Sequence, residues 1–234
     1  MTDQRFRRPD IQGDPTYDTD LILVLDGTSS MRGLTDLLAE RIRALRDSVQ
    51  TALEKGSPGS ARRHLGRLRV RVVVFRDVYV DAEPFARSEW YRLPEEESGL
   101  SAFLEGVRAK GGGDEPESGL EALRLAMDSF EAMEGRGRQI ILLMTDASAH
   151  PLDDPRRASY PVYPGWMSDC RSLADLEQLW EDMDRRRSRM LIVAPNAYPW
   201  SDLQAWSRVW YLPCPAGAGI DSELLDGLFD ALPT

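Results

Sequence analysis

The chain has 234 residues, of which 42% are apolar and 29% charged, with a formal net charge of −10. That length holds one substantial α/β domain or two small ones, with a real core in either case, and the composition is that of a folded globular protein. The acidic balance gives no electrostatic support to a nucleic-acid or anionic-membrane partner, so both are excluded as expectations.

Residues 1–17, with Pro9, Gly13 and Pro15, read as a polar N-terminal tail without the apolar stretch of a secretory signal. Leu21-Ile22-Leu23-Val24-Leu25 is a wholly apolar run that ends on Asp26 and a hydroxyl cluster, Thr28-Ser29-Ser30. A short run of this kind is a strand buried on both faces, the usual position of a central strand in a parallel sheet. Leu34, Leu37, Leu38, Ile42, Leu45, Val49 and Leu53 then recur at helical spacing, until Lys55-Gly56-Ser57-Pro58-Gly59 breaks the pattern. Leu68, Val70 and Val72 alternate with Arg67, Arg69 and Arg71 before Val73-Val74-Phe75, which makes a strand solvated early and buried late.

A further strand is expected around Ser88–Leu93 and a helix over Glu95–Gly106. Gly111-Gly112-Gly113-Asp114-Glu115-Pro116-Glu117 follows, where Pro116 and the acids suit the first turn of a helix carrying Leu120, Leu123, Met127 and Phe130. Gln139–Met144 is another buried strand, and it too ends on an aspartate, in Thr145-Asp146. Residues 151–172, rich in Pro, Asp, Arg and aromatics, form a loop long enough to be a functional or covering element. A helix through Leu173, Leu176, Trp180 and Met183, strands at Leu191–Ala194 and Val209–Leu212, a short helix around Ser201–Ser207 and a closing helix from Ser222 complete the chain. Strand–helix alternation predicts one Rossmann-like, doubly wound, mostly parallel domain over residues 18–234, with the 151–172 loop over the site face. Cys170 and Cys214 are too few for a disulfide framework. With no apolar run of membrane-spanning length, a cytoplasmic location is the expectation.

Three polar loops can converge at the carboxyl ends of such a sheet: Asp26-x-Thr28-x-Ser30, the loop of Asp114, and Asp146. Carboxylates and hydroxyls are hard oxygen donors, suited to one divalent cation such as Mg²⁺, Mn²⁺ or Ca²⁺. Thr28 and Ser30, two apart in an extended turn, turn their hydroxyls to one point while Ser29 faces away.

In order and spacing these residues resemble the von Willebrand factor type A domain, in its stand-alone bacterial form, with its metal-ion-dependent adhesion site. The first motif, Asp-x-Ser-x-Ser, is matched by Asp26-Gly27-Thr28-Ser29-Ser30, and the aspartate of the third by Thr145-Asp146. Asp114 stands where the second loop usually carries a threonine. The resemblance implies a six-stranded sheet with helices on both faces and a metal site of Asp26, Thr28, Ser30, Asp114 and Asp146. It implies a non-catalytic protein-interaction module in a multi-protein complex, whose partner completes the metal shell with an acidic side chain. Asp114 in place of a hydroxyl adds negative charge to the site, which lessens dependence on that acid. His150, Tyr163 and Trp166, in or beside the long loop, are candidate partner-binding residues, although a loop-bracing histidine and packed aromatics are the commoner roles.

Two alternatives stand beside this reading. Leu25-Asp26-Gly27-Thr28 resembles part of the haloacid dehalogenase motif of Mg²⁺-dependent phosphohydrolases, but Val24 occupies the position of the nucleophilic aspartate. A type A scaffold that has lost its metal is the other. His64 has no nucleophile with which to form a triad.

Overall fold

The computed structural model describes residues 16–55, 64–111, 115–133 and 135–230. The strands are β1 (Thr16–Asp26), β2 (His64–Phe75), β3 (Phe85–Arg87), β4 (Tyr91–Leu93), β5 (Gly137–Met144), β6 (Ser188–Pro195) and β7 (Val209–Cys214). The helices are α1 (Leu34–Lys55), α2 (Glu97–Gly106), α3 (Gly119–Asp128), α4 (Arg156–Ser159), α5 (Leu173–Asp182), α6 (Trp200–Leu203) and α7 (Ser222–Asp230). Thr16 and Tyr17, assigned by sequence to the tail, are the first residues of β1.

The strands form one sheet in the order β3-β2-β1-β5-β6-β7, parallel from β2 to β7, so β1 lies between β2 and β5. The apolar run of β1 explains its central place. Leu21, Leu23 and Leu25 enter one core with Leu38 and Val49 of α1, Leu104 of α2 and Leu228 of α7. Ile22 and Val24 enter the other with Leu123 of α3, Trp180 of α5 and Trp200 of α6. All five side chains are at most 1% exposed, and each buried side chain of this size contributes about 1.5–3 kcal/mol relative to solvent exposure. The same two-sided alternation runs through Val72–Phe75 and Ile140–Met144, as a strand covered on both faces requires. The fold is the doubly wound α/β arrangement that the alternation of elements predicts.

The sheet has seven strands rather than six, because the edge beside β2 is split. β3 pairs antiparallel with Val73–Phe75 and β4 with Leu68–Val70. Ser88 lies between them: its N–H donates to the Val72 carbonyl at 2.9 Å, and its hydroxyl accepts from the Val72 N–H at 2.9 Å. A side-chain oxygen thus takes the place of a backbone acceptor and ends the first pairing. The helix expected from Pro116 instead starts at Gly119, because Glu117 is held in a parallel bridge with Ala149. The 151–172 segment contains α4 and a 3-10 turn at Gly165–Met167, and its Leu152, Met167 and Cys170 are buried in the core beneath α3 and α5.

Leaving β1, the chain is wound to β2 on one side and later to β5 on the other. The point between β1 and β5 is therefore the topological switch of the sheet, where open α/β folds bind their ligands beyond the carboxyl ends of the strands. Asp26 ends β1 and Asp146 lies just past β5, with Leu25 paired in register to Met144.

Candidate metal centre

Asp26 is 3% exposed and organises the first loop. Its Oδ1 accepts the Thr28 N–H at 2.9 Å and the Thr28 hydroxyl at 2.6 Å, and its Oδ2 accepts the Thr145 hydroxyl at 2.6 Å. Burial pushes its pKa above the ordinary carboxylate value and the neighbouring Asp146 adds to this, against the three hydrogen bonds that favour the charged form. Beyond Thr28 the chain turns through a 3-10 turn at Ser29–Met31. That turn brings the Ser30 hydroxyl to 3.3 Å from the Thr28 hydroxyl and lets it donate to Asp146 Oδ1 at 2.7 Å. Asp146 is fully buried, and its Oδ2 accepts the Gly219 N–H at 2.8 Å. Ser29 turns the other way, its hydroxyl donating to the Gly111 carbonyl at 3.2 Å.

Asp26, Thr28, Ser30 and Asp146 thus meet at one point, as two carboxylates and two hydroxyls. Asp114 lies outside the described residues. Its neighbours Lys110 and Gly111 reach the first loop through the Lys110 N–H to the Gly27 carbonyl (3.1 Å) and the Ser29–Gly111 bond. Among the described residues, no three His, Cys, Asp or Glu side chains are grouped tightly enough to hold a metal by themselves. The chemistry of the donor set nonetheless fits a hard cation, in which hydroxyls and water fill the positions that further carboxylates would otherwise take.

Three residues at this face were given no role from sequence. Thr145, the neighbour of Asp146, spans from β5 to Asp26. Arg76, just past β2, is 6% exposed and donates to the carbonyls of Gly27 (3.2 Å), Lys110 (3.1 Å) and Arg108 (3.0 Å), so one guanidinium ties the first loop to the glycine-rich one. Glu117 is 4% exposed, and its Oε2 is enclosed without a hydrogen-bond partner. Burial, with Asp26, Asp77, Asp81 and Glu115 nearby, pushes its carboxyl up to about 8. Its signal in the sequence was an acid beside a proline, which served equally well as a helix first turn.

His150 and Tyr163 both meet Tyr79 in a second polar cluster apart from the first, and Trp166 packs against the hydrophobic core. His150 is 2% exposed, with Nε2 at 3.0 Å from Asp77 Oδ1 and Nδ1 at 3.0 Å from Arg156 Nη2. It is therefore closed off from direct contact with a partner. Tyr163 donates to Glu121 Oε1 at 2.6 Å, and Trp166 meets Phe85 edge to face at 5.5 Å. Glu121 is 1% exposed and burial raises its pKa, while its second oxygen has no partner.

No family model matches the chain, and no curated protein matches it in sequence. Solved structures do match in fold. The pilus adhesin SpaC of Lactobacillus rhamnosus GG aligns over 94% of this chain and 30% of its own, at 11% identity and a TM-score of 0.55. Human COPII-coat protein Sec24c aligns over 94% and 33%, at 12% identity and a TM-score of 0.53. Proximal thread matrix protein 1 of the mussel byssus, in a structure described as having a zinc-occupied MIDAS motif, aligns over 93% and 48%, at 13% identity and a TM-score of 0.51. The chain spans from about a third to about half the length of these proteins. At such identities the likeness is one of fold: the chain carries the kind of α/β domain found in an adhesin, a coat protein and a matrix protein.

Proposed function

We propose that this chain is a divalent-cation-dependent protein-interaction module of the von Willebrand type A kind, working in a cytoplasmic multi-protein complex and carrying no catalysis of its own. The observation that carries the reading is the meeting of Asp26, Thr28, Ser30 and Asp146 at the switch point of the sheet, joined by the 2.7 Å bond from Ser30 to Asp146. The fold likeness to an adhesin and a coat protein, and to a matrix protein described with an occupied MIDAS motif, supports it. The cation, Mg²⁺, Mn²⁺ or Ca²⁺, supplies positive charge and a coordination position for an oxygen of the partner. The residues of this chain present the oxygens and fix their directions. Thr145 and Gly219 orient the two aspartates through the oxygens that are turned away from the hydroxyl pair. Among the described residues no helix is long and apolar enough to cross a membrane. The phosphohydrolase alternative has no nucleophile, since Val24 is buried in the core between sheet and helices.

Calorimetric titration of Mg²⁺, Mn²⁺ and Ca²⁺ into the protein and its Asp26→Ala variant tests the proposal, followed by co-purification of partners with and without chelator. Binding by the wild type and none by the variant is the expected result. Silence in the wild type with every cation would overturn the metal-dependent reading.

A further inference from the structure

The opposite end of the sheet carries the reverse charge. Asp18 of β1 is paired with Gly137 where β5 begins, and seven residues later Leu25 is paired with Met144 next to the candidate cation site. At about 3.3 Å per residue the two ends are about 23 Å apart, more than two screening lengths of about 8 Å at physiological salt. Where β5 and β6 begin lies a cleft of about 340 Å³, lined by Arg136, Arg138, Arg186 and Arg187 together with Asp184 and Tyr17. This gathering of arginines belongs to a chain whose net charge is −10.

Two of the four arginines are spent on the fold. Arg187 donates to the carbonyls of Met133 and Gly135, the latter at 2.9 Å, and pairs with Asp184 at 3.1 Å. Arg138 donates to the carbonyls of Gly137 at 3.2 Å and Arg186 at 3.3 Å, with its guanidinium 5.0 Å over the Tyr17 ring. The carboxylate of Asp184 is engaged by Arg187 and by the Arg186 backbone N–H at 2.9 Å. That leaves Arg136 and Arg186. Both are exposed, and among the described residues no acid is ion-paired with either.

Two such guanidiniums lining one cleft match carboxylates, because each offers a planar fork of N–H donors to which a carboxylate binds through two parallel bonds. The volume is at the small end of ligand sites, which run to about 300–1,000 Å³, and suits the acidic side chains of an extended segment. A nucleic acid would carry its closely spaced phosphates past the rest of an acidic molecule, whereas a short acidic segment meets the cleft alone. Residues 1–15, which precede the described residues, hold three aspartates and three arginines and so offer no net side-chain charge to complement it. We propose that this cleft is a docking site for an acidic segment of a partner protein, whose carboxylates pair with Arg136 and Arg186. It is separate from the cation site and does not depend on it.

The test uses the full chain in EDTA, so that the cation site takes no part, with fluorescein-labelled octaglutamate as the probe and fluorescence anisotropy as the readout. Wild type, Asp26→Ala and the double variant Arg136→Gln with Arg186→Gln are compared at low and high NaCl. Wild type and Asp26→Ala should bind alike and more weakly as salt rises, and the double variant should bind about 10-fold more weakly than either. Its melting temperature should match the wild type, since both side chains are exposed. No octaglutamate binding by the wild type, or equal binding by the double variant, would overturn the proposal. Melting of the double variant well below the wild type would make the two arginines structural and overturn it equally. Labelled octathymidylate bound as tightly as octaglutamate would replace the acidic protein segment with a nucleic acid.

Discussion

The Thr145 hydroxyl donates to Asp26 Oδ2 at 2.6 Å, joining the carboxyl ends of β5 and β1 across the switch point of the sheet. Thr145 is fully buried and also accepts the Ala147 N–H at 3.1 Å, so its hydroxyl serves two loops. Thr145→Val keeps the shape and removes the hydroxyl, leaving a buried carboxylate oxygen without its donor. The expected cost is about 1–3 kcal/mol of stability, read by urea unfolding in EDTA, together with weaker Mn²⁺ binding as Asp26 loses its orientation. A variant as stable as the wild type would show that the bond does not hold the loops together.

Glu121 gives a pH dependence of defined sign. Its folded pKa is raised by burial, so below the unfolded value of about 4.3 it carries no penalty. As pH rises towards the folded value, the unfolded chain ionises freely while the native one resists. The contribution of Glu121 to stability is therefore largest in acid and is lost as pH rises through the folded pKa. Glu121→Gln should flatten this decline in urea midpoints as pH rises above the unfolded value of about 4.3, while the Tyr163 hydroxyl keeps an acceptor. An unchanged slope would place the ionisation of Glu121 elsewhere.

Gly119 opens α3 directly beneath the aromatic core. A Cβ there would lie 2.6 Å from Trp200 Cζ2 and 2.8 Å from Cη2, with Phe75 Cζ at 3.3 Å. Trp200 has little room to yield, being fully buried with its indole N–H donating to the Ala147 carbonyl at 2.9 Å. Gly119→Ala should cost about 1–3 kcal/mol despite its better helix propensity, as measured by the denaturation midpoint. A stabilised variant would contradict the packing.

Cys170 and Cys214 are both buried, and burial pushes each thiol up to about 11. At pH 8 the thiolate fraction is then about one in a thousand. Iodoacetamide should label neither cysteine of the native protein at that pH, and both in urea, as followed by intact mass. Rapid native labelling of either would show local opening of the 151–172 segment or of the end of β7.

What could be read from the sequence follows the range of the forces involved. The central strand was legible because five apolar residues in a row leave no solvent face for Leu21 to Leu25. The end of α1 near Lys55 was legible from its breaker cluster. The approach of Ser30 to Asp146 follows once two strands of a parallel sheet end side by side, since their aspartates lie within one residue of the same level. Glu117 was not legible. Proline followed by acid is a sound local signal for a helix start, and the bridge to Ala149 that defeats it joins residues 32 apart in sequence. Arg76 was hidden for the same reason: its acceptors are carbonyls, which carry no side-chain signature. His150 stood out as a rare histidine near a candidate site, but its place is set by Asp77, 73 residues away. The division of the sheet edge into β3 and β4 turns on the single hydroxyl of Ser88.

That divided edge makes the molecule asymmetric towards its own kind. On one side the sheet is closed by two strands of three residues each, interrupted by Ser88 and too short to template another chain. On the other, β7 offers six residues, Val-Trp-Tyr-Leu-Pro-Cys, without a charge and with Trp210 45% exposed. Fibrous stacking of sheets needs two receptive edges on every copy, and among the described residues β7 is the one long edge strand. Strand pairing between copies through β7 would engage the same edge of both and so stop at a pair, and Pro213 removes one of the backbone donors that such a pair would use.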